Sequence, residues 1–214
     1  MKLYSYWRSS AAYRVRIVLN LKGLVAGEDY QIVPVSLLDA EHQSDEYLAI
    51  NPTGLVPALQ LDDGRVLTQS TAIIEWLDTV YPHPALQPQD AFERARVMSW
   101  VQIIACEIHP LNNIGVMNFL KSSFSVEPSE VVTTWYYYWL RRGFDPLEKE
   151  LSAAPYCYGE TPTIADAYLI PQVYNAMRFK FDFTDYPKIM SIWDTCNQLD
   201  AFQRALPEHQ PDAN

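Results

Sequence analysis

The hydrophobic pattern of the first eighty residues alternates between strand and helix periods. Runs of strand length occur at 2–7, 31–35, 57–61 and 65–68. Apolar residues at helical spacing predict helices over 10–23, 44–50 and 70–80, and Gly23 is a stop signal for the first. The turn sequences NPTG (51–54) and DDG (62–64) separate the later elements. The pattern predicts a small α/β domain with the order βαβαββα.

The pattern changes after Tyr81. Three prolines within YPHPALQP (81–88) favour a semi-rigid linker. From Asp90 onward the pattern is helical, with a first apolar stripe that we expect Pro110 to end. We expect a second helix over WYYYWLRRGF, with Gly143 as a kink or stop, and a third that begins at a capping box of Thr163 and Asp166. The sequence thus predicts a first domain at 1–81, a linker at 82–89 and an all-helical domain at 90–214, with a loose tail from Pro207.

Composition narrows the classes of function. Hydrophobic residues make up 49% of the 214 residues and charged residues 20%, which is ordinary for a folded domain. The net charge of −10 argues against nucleic acid as a partner, because phosphate binding needs clustered Lys and Arg. No apolar run is long enough to predict a membrane span, and the first residues do not read as a signal peptide.

The cysteines and histidines indicate neither a disulfide framework nor a metal site. The three cysteines are far apart in the chain, which is typical of a reducing compartment and favours a cytoplasmic location. Cys106 and His109 form a lone C-x-x-H, and the four histidines are scattered. We therefore expect no bound metal.

Two serines stand where the first strand gives way to the first helix. The N-terminus of a helix presents unpaired N–H groups and a partial positive charge, which favours an anion such as a thiolate. A hydroxyl at Ser9 or Ser10 would add a hydrogen bond to the sulfur. No cysteine lies near in sequence, so the thiol would come from a ligand. The alternative is that both serines only cap the helix.

Two further segments favour a peptide ligand over simple capping. A proline at the start of the third strand, Pro57, leaves the backbone of Val56 free for an extended ligand, unless it is an ordinary edge proline. Gln69 and Ser70 stand at another helix N-terminus, which suits a carboxylate if they are not merely caps. A thiol site, a strand-edge site and a carboxylate site together fit a thiol-containing peptide.

Several motifs identify a family resemblance that covers nearly the whole chain. The chain resembles the zeta class of glutathione transferases in RSSAAYRVRIVLNLKG (8–23), NPTGLVPAL (51–59), QSTAIIEWL (69–77), IHPLNN (108–113), GETPTIADAYLIPQVYNAMRF (159–179) and DYPKI (185–189). The resemblance implies a thioredoxin-like N-terminal domain, an all-α C-terminal domain, a homodimer and glutathione as cofactor. It further implies cis–trans isomerisation of a maleyl keto acid, a small acidic cis-enone.

The resemblance also implies roles for individual residues. Ser9 would hydrogen-bond the glutathione sulfur with Ser10 beside it, and Val56 would pair its backbone with the cysteinyl part. Gln69 and Ser70 would hold the γ-glutamyl carboxylate. The remaining implied contacts are His42 at the glycyl end, His109 and Asn113 at glutathione, and Arg8 and Arg178 at the acidic substrate. For Arg178 a surface salt bridge is the alternative.

The chain departs from the family pattern at a few positions. Ala11 stands where many members have cysteine, and Ala12 replaces a serine. Gly115 stands where some bacterial relatives carry arginine, which removes one contact to a substrate carboxylate.

Two other functions stay open at this point. One is a conjugating transferase or peroxidase that uses the same thiolate, and the other is a non-catalytic binding module with the transferase fold. The retention of Ser9, Gln69 and Ser70 favours a working catalytic site.

Overall fold

The computed structural model of the chain describes residues 1–213, which form two compact units. The first unit contains residues 1–86 together with 197–213, and the second contains residues 87–196. No helix within the described residues is long and apolar enough to cross a membrane.

A four-stranded sheet organises the first unit. Its strands are β1 (Lys2–Ser5), β2 (Gln31–Pro34), β3 (Ala58–Gln60) and β4 (Val66–Thr68), in the order β2-β1-β3-β4. β1 pairs in parallel with β2 and antiparallel with β3, which in turn pairs antiparallel with β4. The helices are α1 (Ser10–Leu21), α2 (Asp45–Leu48) and α3 (Ser70–Val80), so the predicted order βαβαββα is confirmed.

Helix α1 is the crossover between the parallel strands β1 and β2. Such a crossover must cover one face of the sheet, and ten of the twelve residues of α1 are accordingly buried. Leu3 of β1, Val15 of α1 and Leu59 of β3 are fully buried and form part of this core. α1 also packs against α3, so both helices begin at fixed positions relative to the sheet.

The second unit is helical, as predicted. Its helices are α4 (Ala91–Gln102), α5 (His109–Asn112), α6 (Ile114–Phe124), α7 (Pro128–Glu130), α8 (Tyr137–Glu150), α9 (Ile164–Arg178) and α10 (Pro187–Cys196). Two π-helical turns, Ile103–Ile108 and Val131–Tyr136, lead into α5 and α8.

Side-chain caps start two of these helices where the sequence predicts them. The Asp90 carboxylate accepts hydrogen bonds from the backbone N–H groups of Phe92 and Glu93, both at 3.0 Å. Thr163 and Asp166 form a reciprocal capping box at the start of α9. These bonds satisfy N–H groups that have no partner inside the helix.

Pro110 does not end the helical run, contrary to expectation. It lies in the first turn of α5, where a proline costs no hydrogen bond because that N–H has no acceptor inside the helix. The π-helical turn before it lets the chain continue from α4 into α5.

The C-terminal segment differs most from the prediction. Helix α11 (Asp200–Ala205) packs against α1 in the first unit, whereas we expected the helical domain to extend to residue 214. The residues after α11 are held, not loose. The Gln210 side chain donates to the carbonyl groups of Arg204 and Leu206 at 3.0 and 2.8 Å, and so satisfies acceptors that the end of α11 leaves open.

Gly143 does not stop α8 but permits a close contact inside the second unit. α8 continues to Glu150, and a Cβ at Gly143 would overlap the side chain of Ile108. The lack of a side chain is therefore a packing requirement.

We predict that Gly143→Ala destabilises the protein by about 1–3 kcal/mol, the usual cost of overpacking. This cost outweighs the gain of about 1 kcal/mol that alanine brings to a helix interior. Denaturant unfolding measures the effect. In an Ile108→Ala background, where the obstructing side chain is gone, the same substitution should become neutral or stabilising. Equal losses in both backgrounds would contradict the packing explanation.

Candidate functional site

The strand register brings the candidate residues of the first unit to one end of the sheet. Tyr4 near the end of β1 pairs with Ala58 at the start of β3, which pairs with Thr68 at the end of β4. At this end of the sheet the chain leaves β1 shortly before Ser9, enters β3 shortly after Val56 and leaves β4 just before Gln69. β2 is parallel to β1, so the segment that leads to His42 starts at the same end.

The width of this end matches a tripeptide. Neighbouring strands lie about 4.8 Å apart, so β1 and β4, with β3 between them, are separated by about 10 Å. Three extended residues also span about 10 Å. An extended tripeptide laid across the strand ends could thus contact the segments around Ser9, Val56 and Gln69 together.

Ser9 caps α1 and keeps a proton to donate. Its side-chain oxygen accepts a hydrogen bond from the Ala12 N–H at 3.2 Å, so the capping role is confirmed. A hydroxyl can accept and donate at the same time, and its proton is still available to an anion. The first turn of α1 contains no acidic residue that would cancel the positive end of the helix. Ser10 is the first residue of α1 and is only 5% exposed.

The first unit contains no thiol that could use this position. Cys106, Cys157 and Cys196 are free cysteines of the second unit. Burial raises the pKa of both the Cys157 and the Cys196 thiol, and the nearby Asp166 carboxylate raises both further. Neither is suited to ionise near neutral pH, so a thiolate at Ser9 would have to come from a ligand.

Val56 presents an unused backbone edge beside Ser9. Its peptide bond to Pro57 is cis, and within residues 1–213 neither its N–H nor its carbonyl group forms a hydrogen bond. The loop before it is anchored, because the Leu55 carbonyl group accepts from Tyr47 Oη and Asn51 Nδ2, both at 2.6 Å. An extended ligand could therefore add to this edge as a further strand does.

Gln69 and Ser70 begin α3 in different environments. Gln69 is exposed and has a φ of 68°, a conformation that costs a non-glycine residue roughly 1–3 kcal/mol. Ser70 is buried, and its hydroxyl accepts a hydrogen bond from Arg14 Nη1 at 3.4 Å. Strain at an exposed polar residue beside a helix N-terminus is typical of a binding position.

His42 lies beside the Val56 loop. It belongs to the 3₁₀ turn Glu41–Gln43, and the neighbouring Gln43 amide donates to the Gly54 carbonyl group at 3.5 Å. Nδ1 of His42 is buried and has no hydrogen-bond partner within residues 1–213. A Cβ at Gly54 would lie only 3.0 Å from the His42 carbonyl oxygen, so this position favours glycine.

Arg8 precedes Ser9 in the chain, and its guanidinium group has no acidic partner within the described residues. Its Nη2 donates to the Tyr6 hydroxyl at 3.1 Å, and its guanidinium carbon lies 4.5 Å from the centre of the Trp7 ring. These contacts orient the group without neutralising it. It is therefore available to a carboxylate.

The candidate residues of the second unit are more ordinary in their contacts. His109 is half-buried at the first position of α5. Asn113 caps α6 by accepting from the Val116 N–H at 3.0 Å and donates to the Pro110 carbonyl group at 2.6 Å. Arg178 is exposed at the end of α9 and donates to Asn175 at 3.2 Å. No carboxylate within residues 1–213 pairs with Arg178, so the structure does not support the salt-bridge alternative.

Two buried arginines in α1 make contacts that the sequence did not predict. Arg14 reaches Ser70, while Arg16 donates to the Ser5 hydroxyl and to the carbonyl groups of Trp7 and Ala205. Both are at most 2% exposed. The signal was present in the sequence, because an arginine on the buried face of an amphipathic helix requires acceptors. The acceptors at Ser70 and Ala205 are distant in sequence and could not be predicted from it.

Two family models match the chain. One describes the N-terminal domain of glutathione S-transferase and matches residues 8–80, and the other describes its C-terminal domain and matches residues 140–206. The chain belongs to the glutathione S-transferase family. Within residues 1–213 this transferase has no cluster of three or more His, Cys, Asp or Glu residues that could hold a metal ion.

Named relatives place the transferase in the zeta class. It is 46% identical to maleylpyruvate isomerase of Ralstonia sp, over the whole of both chains. It is 44% identical to maleylacetoacetate isomerase of Pseudomonas aeruginosa, over 99% of this chain and 98% of that protein. A holo structure of a bacterial zeta-class maleylpyruvate isomerase superposes with a TM-score of 0.93 at 45% identity and full coverage of both chains.

A glutathione-bound relative is also similar in structure. Maleylacetoacetate isomerase of Anaeromyxobacter dehalogenans, crystallised with glutathione in its active site, has a TM-score of 0.87 at 40% identity. The alignment covers all of this transferase and 97% of that chain.

We predict that Gln69→Gly relieves backbone strain and weakens glutathione binding at the same time. Relief of roughly 1–3 kcal/mol exceeds the flexibility cost of glycine, about 0.5–1 kcal/mol, so the melting temperature should rise. Gln69→Ala keeps the strain and serves as the matched control: it should weaken binding without the rise. Calorimetric titration with glutathione and thermal unfolding test both effects. A lower melting temperature for the glycine variant would contradict the assignment of strain.

Proposed function

We propose that this transferase is a glutathione-dependent cis–trans isomerase of a maleyl keto acid. One observation carries the proposal. The Ser9 hydroxyl at the positive end of α1, the free backbone edge of Val56 and the start of α3 at Gln69 converge at one end of the sheet. The convergence fits an extended thiol tripeptide, and the names of the relatives supply the reaction.

Glutathione held at this site would supply a thiolate nucleophile for reversible addition to the conjugated double bond, and it would not be consumed. The residues of the chain hold glutathione and favour the ionised form of its thiol. The Ser9 proton and the N-terminus of α1 favour the ionised thiol, and each lowered unit of its pKa corresponds to about 1.4 kcal/mol. Ser10 is buried in the first turn of α1, and we assign it a supporting role beside Ser9.

We assign the remaining contacts to the successive parts of the glutathione tripeptide. The backbone of Val56 pairs with the cysteinyl part, Gln69 and Ser70 hold the γ-glutamyl carboxylate, and His42 contributes at the glycyl end. Nδ1 of His42, which is buried and has no hydrogen-bond partner in the described part of the chain, supports a polar ligand there. His109 and Asn113 of the second unit are further contacts that we assign from the family resemblance.

Arg8 is the candidate for substrate selection. An oriented guanidinium group that has no acidic partner among the described residues can bind a carboxylate through two parallel hydrogen bonds. Its positive charge also stabilises the negative charge that develops on a conjugated carbonyl group during addition. Arg178, which is exposed and pairs with no carboxylate within residues 1–213, is the second arginine that we assign to the acidic substrate.

The assembly and location that we propose follow from the family and the thiols. We propose a homodimer, as in glutathione transferases generally, and light scattering would measure its mass. The free state of all three cysteines is consistent with a reducing, cytoplasmic setting.

The test is an ultraviolet assay of maleylpyruvate and maleylacetoacetate with and without glutathione, alongside a count of free thiol. We predict conversion of at least one acid to its trans isomer only when glutathione is present, with no net loss of thiol. Stoichiometric loss of thiol would instead identify a conjugating transferase. An absence of both turnover and glutathione binding would identify a non-catalytic module.

Ser9→Ala extends this test to the residue that we assign to the sulfur. Loss of a hydrogen bond to a charged group, roughly 1.5–3 kcal/mol, should lower kcat by roughly 10- to 100-fold. Ser44→Ala is the control, because Ser44 caps α2 in the same way by accepting from the Tyr47 N–H at 3.2 Å. Each variant loses a cap and about 1 kcal/mol of stability, and only Ser9→Ala should lose turnover. Equal turnover in the two variants would remove Ser9 from the mechanism.

Arg8→Lys tests substrate selection. Lysine keeps the charge but cannot form two parallel hydrogen bonds, so KM for the keto acid should rise roughly tenfold while the affinity for glutathione is unchanged. Arg65→Lys is the control, since Arg65 pairs with Asp63 in the turn at the opposite end of the sheet. An unchanged KM in Arg8→Lys would exclude bidentate recognition by Arg8.

A further inference from the structure

The turn that carries Arg8 to Ser9 is held from behind by the C-terminal segment. The Ser9 N–H donates to the Tyr6 carbonyl group at 2.9 Å, which closes a turn with Trp7 and Arg8 at its centre. This bond leaves both backbone groups of Trp7 unused. Arg16 donates to the Trp7 carbonyl group at 2.9 Å, and the Trp7 N–H donates to the Asp212 carboxylate at 3.0 Å.

Asp212 is itself placed by several contacts. The Ala213 N–H donates to the Gln210 carbonyl group at 3.0 Å, so residues 210–213 form a turn with Pro211 and Asp212 at its centre. Gln210 is fixed to the end of α11, and Ala213 packs against the apolar cluster that includes Trp7 and Val56. The carboxylate therefore reaches Trp7 from a rigid support.

Oδ2 of Asp212 accepts the hydrogen bond from the Trp7 N–H, whereas Oδ1 is buried and has no hydrogen-bond partner within residues 1–213. A buried acceptor of this kind is an exception among polar groups. Such an exception calls for a functional reason, and the turn that precedes Ser9 provides one.

We propose that Asp212 is a positioning residue that acts through the Trp7 backbone to fix the Ser9 hydroxyl against the glutathione sulfur. The inference rests on the proposed function, because it assigns Ser9 to the sulfur. Arg16 and Asp212 form hydrogen bonds with the carbonyl group and the N–H group of Trp7. Loss of either bond allows the turn to rotate. Positioning errors of this kind act on the reacting geometry more than on ligand affinity.

The experiment compares Asp212→Ala, Asp212→Asn and the wild-type chain. The pKa of enzyme-bound glutathione is read from the ultraviolet absorbance of the thiolate, and kcat is measured over the same pH range. Asp212→Ala removes the acceptor and should raise the bound-thiol pKa by about one unit, which makes kcat about tenfold lower below that pKa and restores it above. Asp212→Asn keeps an acceptor oxygen and should remain within about twofold of wild type, because the hydrogen bond persists without the charge. Glu208→Gln, in the same segment but exposed, is the control for charge.

Each outcome decides the proposal. A change in melting temperature alone, with the bound-thiol pKa and kcat unchanged, would show a merely structural role and overturn it. Equal shifts in the alanine and asparagine variants would show that the charge acts and not the acceptor, which also overturns it. If Asp212→Ala does not fold, Asp212→Glu replaces it, since it keeps the charge and displaces the acceptor by one methylene. A wild-type chain that does not lower the pKa of glutathione defeats the proposed function and this role together, whereas a normal wild type with an unaffected Asp212→Ala defeats only the role of Asp212.

Discussion

The pairing of Ala58 with both Tyr4 and Thr68 is the constraint on which the candidate site depends. In an antiparallel register, a slip by one residue would turn every side chain of β3 to the opposite face of the sheet. Leu59 is fully buried, so the core fixes the register strongly. The same register fixes how far the segments around Ser9, Val56 and Gln69 lie from one another. Core packing around Leu59 thus helps to determine the geometry of the candidate site.

Polar contacts then connect the helices and the C-terminal segment to this end of the sheet. Arg14 reaches the start of α3 from α1, and Arg16 reaches both the end of β1 and the end of α11. A buried guanidinium group is tolerated only where acceptors surround it. Arg16 meets this condition, because its guanidinium group donates to acceptors in β1, in the turn at Trp7 and at the end of α11. The first helix thus anchors the segments beside it, and we propose that its N-terminus also receives the thiolate.

Local features were predictable from the sequence, and long-range contacts were not. The strand and helix periods, the Ser9 cap and the Thr163 and Asp166 capping box depend on neighbours a few residues away, and the structure has all of them. The prediction that Pro110 ends a helix was wrong because proline is tolerated in a first helical turn, which spacing alone did not reveal. The prediction of a loose tail was wrong because the partner of Asp212 lies 205 residues earlier in the chain. Polarity at the end of a chain resembles disorder until its hydrogen-bond partners are known.

The departures from the family pattern differ in their effect on the candidate site. Ala11 and Ala12 leave the Ser9 cap intact, because the cap needs only the backbone N–H of residue 12. A Cβ at Gly115 would lie 3.1 Å from Asn113 Oδ1, the same oxygen that caps α6. Any side chain at residue 115 would therefore require a small shift of that capping oxygen. With glycine at residue 115, the substrate recognition that we propose relies on Arg8 and Arg178 alone, and so few cations suit a keto acid with few carboxylates better than a polyanion.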